Sequence, residues 1–284
     1  MVAIEKRSDI SYKEFIEKYQ SKGVPVILEN ATKVWKDNLM FTPAFFKEKF
    51  GDRSASFSNK KYTISELLDL TAASTKEQPA PYPIKFNILS QLPELLEHMS
   101  PLHLNMIKPN WLTSKILKNK LGNAMDLHIG GIGNSYEMHK DAYDVHAWLI
   151  QLYGEKEVIV FPRDQEPLLY PKKGGLLESR SPINIMNPDY EKYPRFREAT
   201  PIRAILKAGE VMYIPSGIWH TTIAHGQNIS TIVDQVNNSN YKAWRRDVYV
   251  YKKYHNKYRA IVDYLAATAI GNACRVGQLF GMKF

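Results

Sequence analysis

A chain of 284 residues with 44% apolar residues is long enough for one large domain with a sizeable core, and its formal net charge is +9. No uninterrupted apolar run is long enough to span a bilayer, and the opening Met1-Val2-Ala3-Ile4-Glu5-Lys6-Arg7 has charges where a signal peptide carries its apolar core. The single cysteine, Cys274, excludes an intramolecular disulfide and fits a reducing compartment, so the expected location is the cytoplasm, or the nucleus in a eukaryote.

The first third reads as mixed and mostly helical. Ser11-Tyr12-Lys13-Glu14 has the Ser-x-x-Glu pattern of a capping box ahead of Phe15, Ile16 and Tyr19, and Gly23 ends the predicted helix. Pro25 to Leu28 is a short buried strand. Thr42-Pro43 opens a second helix with Phe45, Phe46 and Phe50 on one side. Thr63 to Glu66 repeats the capping pattern, and Ser74, Thr75, Pro79, Pro81 and Pro83 mark a loop. Further helices are expected over 92–99 and 111–121.

Near Asn123 the pattern changes. Short apolar runs over 125–129, 145–153, 157–161, 203–206, 211–214, 219–224 and 229–236 alternate with Gly- and Pro-containing turns. Strands at this spacing argue for an antiparallel barrel or sandwich. A Pro-rich insertion over 163–201, with Tyr190, Tyr193, Arg195 and Arg197, is of the length that is functional or disordered. Helical spacing returns after Val236. The expected parts are an N-terminal α/β segment (1–121) packing on the core, a β core (122–237) and a basic helical segment (238–284).

That last segment holds much of the charge: from Ser239 to Phe284 nine Lys/Arg stand against two Asp, a net +7. A solvated helical face explains it, and so does an acidic or polyanionic partner. Within 242–259 bases and aromatics interleave, as in a phosphate-and-stacking surface for nucleic acid. At helical spacing the same aromatics also read as core or dimer contacts. Cys274, between Ala273 and Val276, reads as part of a packed helix face.

The chemistry concentrates in Met138-His139-Lys140-Asp141 and in Pro215-Ser216-Gly217-Ile218-Trp219-His220. In a strand, residues i and i+2 share a face, so His139 and Asp141 both point into a small barrel. The Pro-Ser-Gly turn fixes the entry of His220. Two imidazoles and one carboxylate form the facial triad that binds Fe(II) and leaves open coordination positions for oxygen chemistry. Asp144 and His146 compete with the same spacing, and His128 and His225 are further candidates. A His-x-Asp tripeptide alone is weak evidence. Barrel-like strands and a second turn-plus-His make it strong.

Taken together, Leu127-His128-Ile129-Gly130, Gly133 through Asp141, Gly154 through Pro162, and Gly209 through His220 resemble the JmjC or cupin-like Fe(II)/2-oxoglutarate-dependent oxygenases. The nearest subgroup is the small JmjC hydroxylases of the hypoxia-inducible-factor asparaginyl hydroxylase kind. The motifs cover about 122–237, and Pro25-Val26-Ile27 and Trp35 resemble the family's opening segment.

The resemblance implies a mainly β fold with flanking helices, built on a double-stranded β-helix (jelly roll). It places Fe(II) on His139, Asp141 and His220, with 2-oxoglutarate and O2 as cosubstrates. Lys156, in Gly154-Glu155-Lys156, is the implied anchor of the cosubstrate's distal carboxylate. A buried ammonium is costly unless paired, and a carboxylate would pair it. Three departures stand out. Tyr136 occupies the place of a frequent Thr, the Asp141–Lys156 segment is two residues longer, and Asp234 stands where the close relative has Asn. Asp234 would repel a carboxylate, pair with Lys156 or meet a basic substrate. Asn87 and Lys85 are expected to face the pocket, as are His146 or Trp148, and Trp219 is a candidate substrate contact.

The implied reaction is hydroxylation of an unactivated carbon in a protein or peptide side chain, or in an amino-acid-like small molecule. N-demethylation is the same hydroxylation on an N-methyl carbon. The alternatives are a nucleic-acid (tRNA) hydroxylase of this class and a metal cupin that does not use 2-oxoglutarate. The C-terminal helices resemble elements through which the family forms homodimers, and no membrane association is expected.

Overall fold

The structure, a computed structural model, describes residues 3–35, 40–99, 105–113 and 125–282 apart from the side chains of Asn105, Thr113, Leu176 and Leu177. In chain order its elements are β1 (Glu5–Arg7), α1 (Tyr12–Phe15), β2 (Val26–Leu28), α2 (Pro43–Phe50), β3 (Ser54–Phe57), β4 (Lys60–Thr63), α3 (Ile64–Ala72), β5 (Lys85–Asn87), α4 (Ile88–Gln91) and α5 (Leu95–His98). Then come β6 (Met125–Gly130), β7 (His146–Tyr153), β8 (Glu155–Phe161), β9 (Ile202–Lys207), β10 (Val211–Ile214), β11 (Trp219–Ala224), β12 (Asn228–Gln235), α6 (Tyr241–Lys252) and α7 (Lys257–Leu279).

Local chemistry starts these helices where the sequence indicates. Thr63 and Glu66 close a full capping box on α3, and Thr42 caps α2 with Pro43 in its first turn. At α1 only half the box forms. Ser11 Oγ accepts the Glu14 N–H at 3.1 Å, but the Glu14 carboxylate turns to Arg7 and Lys18. That helix then widens into a π-turn over Ile16–Gln20. The expected helix over 92–99 shrinks to α5, because Leu92 leaves helical geometry after α4. Of the one over 111–121, only a 3-10 turn at Trp111–Thr113 is described; the remainder, and Asn123, lie outside the described residues.

Two sheets form the expected double-stranded β-helix. One has seven strands in the order β1-β2-β10-β7-β12-β6-β5, and the other has three in the order β11-β8-β9. All pairings are antiparallel except β1 with β2. The part assigned to 1–121 shares strands with the core. Its strands β1, β2 and β5 belong to the large sheet. The 163–201 insertion is ordered against the small sheet, with Leu169, Ile183 and Phe196 buried beside Phe161 and Trp219.

β7 is buried along nearly its whole length and faces two layers. Ala147 and Leu149 point between the sheets, while Trp148 and Ile150 join the aromatic core under the N-terminal elements. The C-terminal helices close one side. Tyr241, Trp244, Tyr251 and Cys274 are buried there. Gly271 lets α7 approach α6, since a Cβ at that position would stand 2.0 Å from the Tyr241 ring. The opposite face of α7 exposes Tyr258, Val262, Leu265, Val276 and Leu279. Among the described residues no helix is long and apolar enough to cross a membrane.

Candidate metal centre and its cavity

His139 and His220 come together by backbone pairing. Each donates its N–H to the other's carbonyl, at 2.9 and 2.8 Å, in an isolated antiparallel bridge. His139 thus sits in isolated bridges and not in a continuous strand. Asp141 follows it in irregular backbone just before the Ala142–Asp144 turn. Gly217 makes the entry to β11 possible with φ at 73°, a left-handed value that favours glycine.

The side chains converge despite the irregular path. One donor atom from each of His139, Asp141 and His220 lies within 4.8 Å of the others. His139 Nδ1 donates to the Glu137 carbonyl at 2.8 Å, and His220 Nδ1 to the Ile218 carbonyl at 3.0 Å. Both rings therefore present the Nε2 lone pair to the centre, the tautomer a metal ligand needs. Burial and the neighbouring His220 push His139 down to about 4, against the pull of Asp141. Burial alone would raise the Asp141 carboxyl, but His220 and His139 hold it well below the usual carboxylate range. Two neutral imidazoles and one carboxylate are the ionisation states that bind a divalent cation. The donor set fits Fe(II).

A cavity of about 300 Å³ opens beside this centre. Ala147, Leu149, Ile214 and Ile232 wall its middle. Its closed end holds Lys156, Ser230 and His128, each 3% exposed or less. Lys156 Nζ donates to Ser230 Oγ at 2.7 Å, and burial pushes this ammonium down to about 7. An ammonium with one neutral partner at the bottom of a cavity is suited to an incoming carboxylate. Tyr136 also lines the cavity, its ring 4.6 Å from that of His139.

Asp126 and Asp234 also line the cavity, as does Lys85, which is the strand partner of His128 on β5 and reaches out toward solvent. Lys85 Nζ lies 3.9 Å from Asp126 and is about half exposed. Asp234 lies four residues along β12 from Ser230, about 13 Å at ordinary strand rise, and makes no pair with Lys156. Burial, then Asp141 and Asp126, push the Asp234 carboxyl well up, and Lys85 opposes them.

Four expected pocket residues lie elsewhere. His146 and Trp148 point away from the cavity because Ala147 and Leu149 occupy the inner face of β7. His146 uses both nitrogens on structure: Nδ1 accepts the Ser216 N–H at 3.0 Å, and Nε2 meets Ser239 Oγ at 2.8 Å. Trp148 Nε1 donates to Gln235 at 2.9 Å. Trp219 is one residue from His220, so it faces outward and donates to Glu166 at 2.9 Å. Asn87 caps α4 by accepting the Ser90 N–H at 3.0 Å. The competing ligands are also occupied: Asp144 pairs with Arg246 and Ser216, and His225 with Glu157.

The sequence reading did not single out Tyr82, Asp126, Arg180 and Thr222, all of which line the cavity. Asp126 was signalled by its i+2 relation to His128 on β6. Arg180 carried no signal. It arrives because the insertion bridges back to His139, with Lys140 N–H donating to the Ser179 carbonyl and Ser181 N–H to that of Met138, both at 2.9 Å.

A double-stranded β-helix that presents two histidines and an aspartate to an open centre defines a mononuclear metal protein of the cupin type. The cupin-like domain family matches residues 40–234, and the chain belongs to it. It is similar to JmjC domain-containing protein D of Dictyostelium discoideum, 26% identical over 245 residues, covering 78% of this chain and 53% of that protein. It is 35% identical to human HSPB1-associated protein 1 over 101 residues, 35% of this chain and 20% of the relative. Arginine-specific demethylase JMJ22 of Arabidopsis thaliana is 25% identical over 237 residues, 81% and 45% of the two chains. The chain spans about half or less of the length of these relatives. The family is that of the JmjC/cupin oxygenases, whose cofactors are Fe(II), 2-oxoglutarate and O2.

Proposed function

We propose that the protein is an Fe(II)- and 2-oxoglutarate-dependent dioxygenase that hydroxylates an unactivated carbon of a protein or peptide side chain, or of an amino-acid-like small molecule. The observation that carries this reading is the pairing of a three-ligand centre with a buried lysine in one cavity. His139, Asp141 and His220 would hold Fe(II), which with O2 and 2-oxoglutarate supplies the oxidising chemistry that turns C–H into C–OH, releasing succinate and CO2. Lys156 and Ser230 hold the distal carboxylate at the closed end. The apolar walls of Ala147, Leu149, Ile214 and Ile232 exclude water from the reacting carbon. Tyr136 is placed to bound the cosubstrate on the His139 side.

Asp126 and Asp234 favour a basic group on the substrate, since a cation there would restore the charged form of the Asp234 carboxyl that burial, Asp141 and Asp126 push up. A cationic side chain bearing an N-methyl group would be demethylated through the same hydroxylation. The name of the Arabidopsis relative, an arginine-specific demethylase, points the same way. Nucleic acid is less well supported. Trp244 and Tyr251 of the basic segment are buried, and Tyr249 packs edge-on to Tyr264, which removes most of a stacking platform. A second copy of the chain is the proposed cover for the exposed apolar stripe of α7. The direct test of the reading is 2-oxoglutarate turnover to succinate by the Fe(II)-loaded protein with methylated and unmethylated basic peptides. Product mass distinguishes gain of oxygen from loss of a methyl group. Absence of turnover with every basic peptide, alongside turnover of neutral ones, would reject the basic-substrate reading.

A further inference from the structure

His128 lies on β6, 2% exposed, and lines the cavity that also holds the metal centre and Lys156. Its Nε2 is buried and meets no hydrogen-bond partner among the described residues. The strand partner of His128 on β12 is Ser230, the residue that accepts from Lys156. Its ring stands 6.2 Å from that of Tyr136 and 6.4 Å from that of Tyr82, so aromatic surface flanks it. An imidazole nitrogen sealed from water without a partner destabilises the empty protein.

From this geometry we infer that His128 is a positioning residue for the cosubstrate, its Nε2–H donating to the distal carboxylate that Lys156 and Ser230 also bind. This inference rests on the 2-oxoglutarate reading given above and deepens it. The closed end would then offer three donors from three strands: Lys156 of β8, Ser230 of β12 and His128 of β6. A carboxylate has lone pairs for all three. Lys156 spends one of its three N–H groups on Ser230 and keeps the others for the ligand. Tyr82 and Tyr136 flank the imidazole, and Nε2 has no partner among the described residues. The same group thus weakens the empty state and strengthens the filled one. Selectivity follows, because an oxo acid without a distal carboxylate would leave Nε2 unpaired and the ammonium with Ser230 alone.

The test uses the full chain loaded with Mn(II), which does not turn over, and calorimetric titration with two oxo acids of equal carbon count. One is 2-oxoglutarate, and the other is 2-oxopentanoate, with a methyl group where the distal carboxylate stands. Wild type should bind 2-oxoglutarate far more tightly than 2-oxopentanoate. His128→Leu should weaken 2-oxoglutarate by about ten- to a hundredfold, the worth of one hydrogen bond to a charged group, and barely change 2-oxopentanoate. His128→Gln, which retains an N–H donor, should recover part of the preference. The melting temperature of empty His128→Leu should match or exceed that of wild type, since it removes an unpaired buried nitrogen. An equal loss for both oxo acids would mean that His128 only shapes the cavity, and would overturn the inference while leaving the cosubstrate reading intact. Failure of wild type itself to bind 2-oxoglutarate would overturn both.

Discussion

The two ends of the cavity differ in charge and in exposure. At the closed end Lys156, Ser230 and His128 are almost fully buried and offer donors. At the open end Asp126 and Asp234 offer acceptors, with Lys85 reaching out toward solvent. The metal centre lies between them. On the proposed reading a single pocket sorts two ligands by sign, an anion at the bottom and a cation at the mouth. On that reading the buried site would fill before the mouth.

The largest effect that bears on this arrangement comes from its middle. His139→Ala, Asp141→Ala and His220→Ala should each reduce turnover to background and lower bound Fe(II) per chain, with the circular dichroism spectrum unchanged. Retained activity in any one of them contradicts the ligand set. Next is the closed end. Lys156→Ala should raise the 2-oxoglutarate KM by about ten- to a hundredfold, as the distal carboxylate loses its charged partner. An unchanged KM removes Lys156 from the site.

The closed end should also titrate. Burial sets the Lys156 ammonium at about 7 in the empty protein, against 10.5 for the free group. A bound carboxylate favours the charged form and raises that value. The affinity for 2-oxoglutarate should therefore fall as pH rises above 7, by up to about tenfold per unit, with proton uptake on binding in calorimetry. Between pH 7 and 10.5 the unfolded chain holds more protons than the empty folded protein, so folding stability from this group rises across that window. Lys156→Met should flatten both profiles.

At the open end, Asp234→Asn should lower kcat/KM for a basic substrate by roughly tenfold, the worth of a charge-assisted hydrogen bond. The KM for 2-oxoglutarate should hardly move. Equal effects on the two ligands would show that the ends are not separate. The smallest functional effect is expected outside the cavity. His146→Ala strips a partner from the half-buried Ser216 N–H and from the buried Tyr213 hydroxyl, and should cost about 1–3 kcal/mol of stability in denaturant unfolding. Cosubstrate affinity should stay unchanged.

The contrast between inner and outer residues also explains what the sequence can convey. The strands from β6 to β12 were legible because turns punctuate them and each run is short. The triad was legible because its three residue types recur in motifs spread over 122–237. The inner face of β7 was not, since His146-Ala147-Trp148-Leu149 is apolar or bulky on both faces and either parity buries well. Trp219 was decidable, because a neighbour of His220 in a strand faces the other way. Asn87 had its own signal as an N-cap before Ile88-Leu89-Ser90. β1 is three residues, Glu5-Lys6-Arg7, whose strand geometry comes from pairing with β2 and not from its own preference. Arg180 depends on a bridge across forty residues, which no local pattern encodes.

The central claim is that the triad and Lys156 form one cosubstrate site. An anaerobic titration of Fe(II)-loaded protein with 2-oxoglutarate, followed through the weak visible charge-transfer band of the chelate, tests it most directly. The account predicts a band that saturates in wild type, is absent in His139→Ala, and needs far more cosubstrate in Lys156→Ala. No band in wild-type protein that demonstrably holds iron would contradict it.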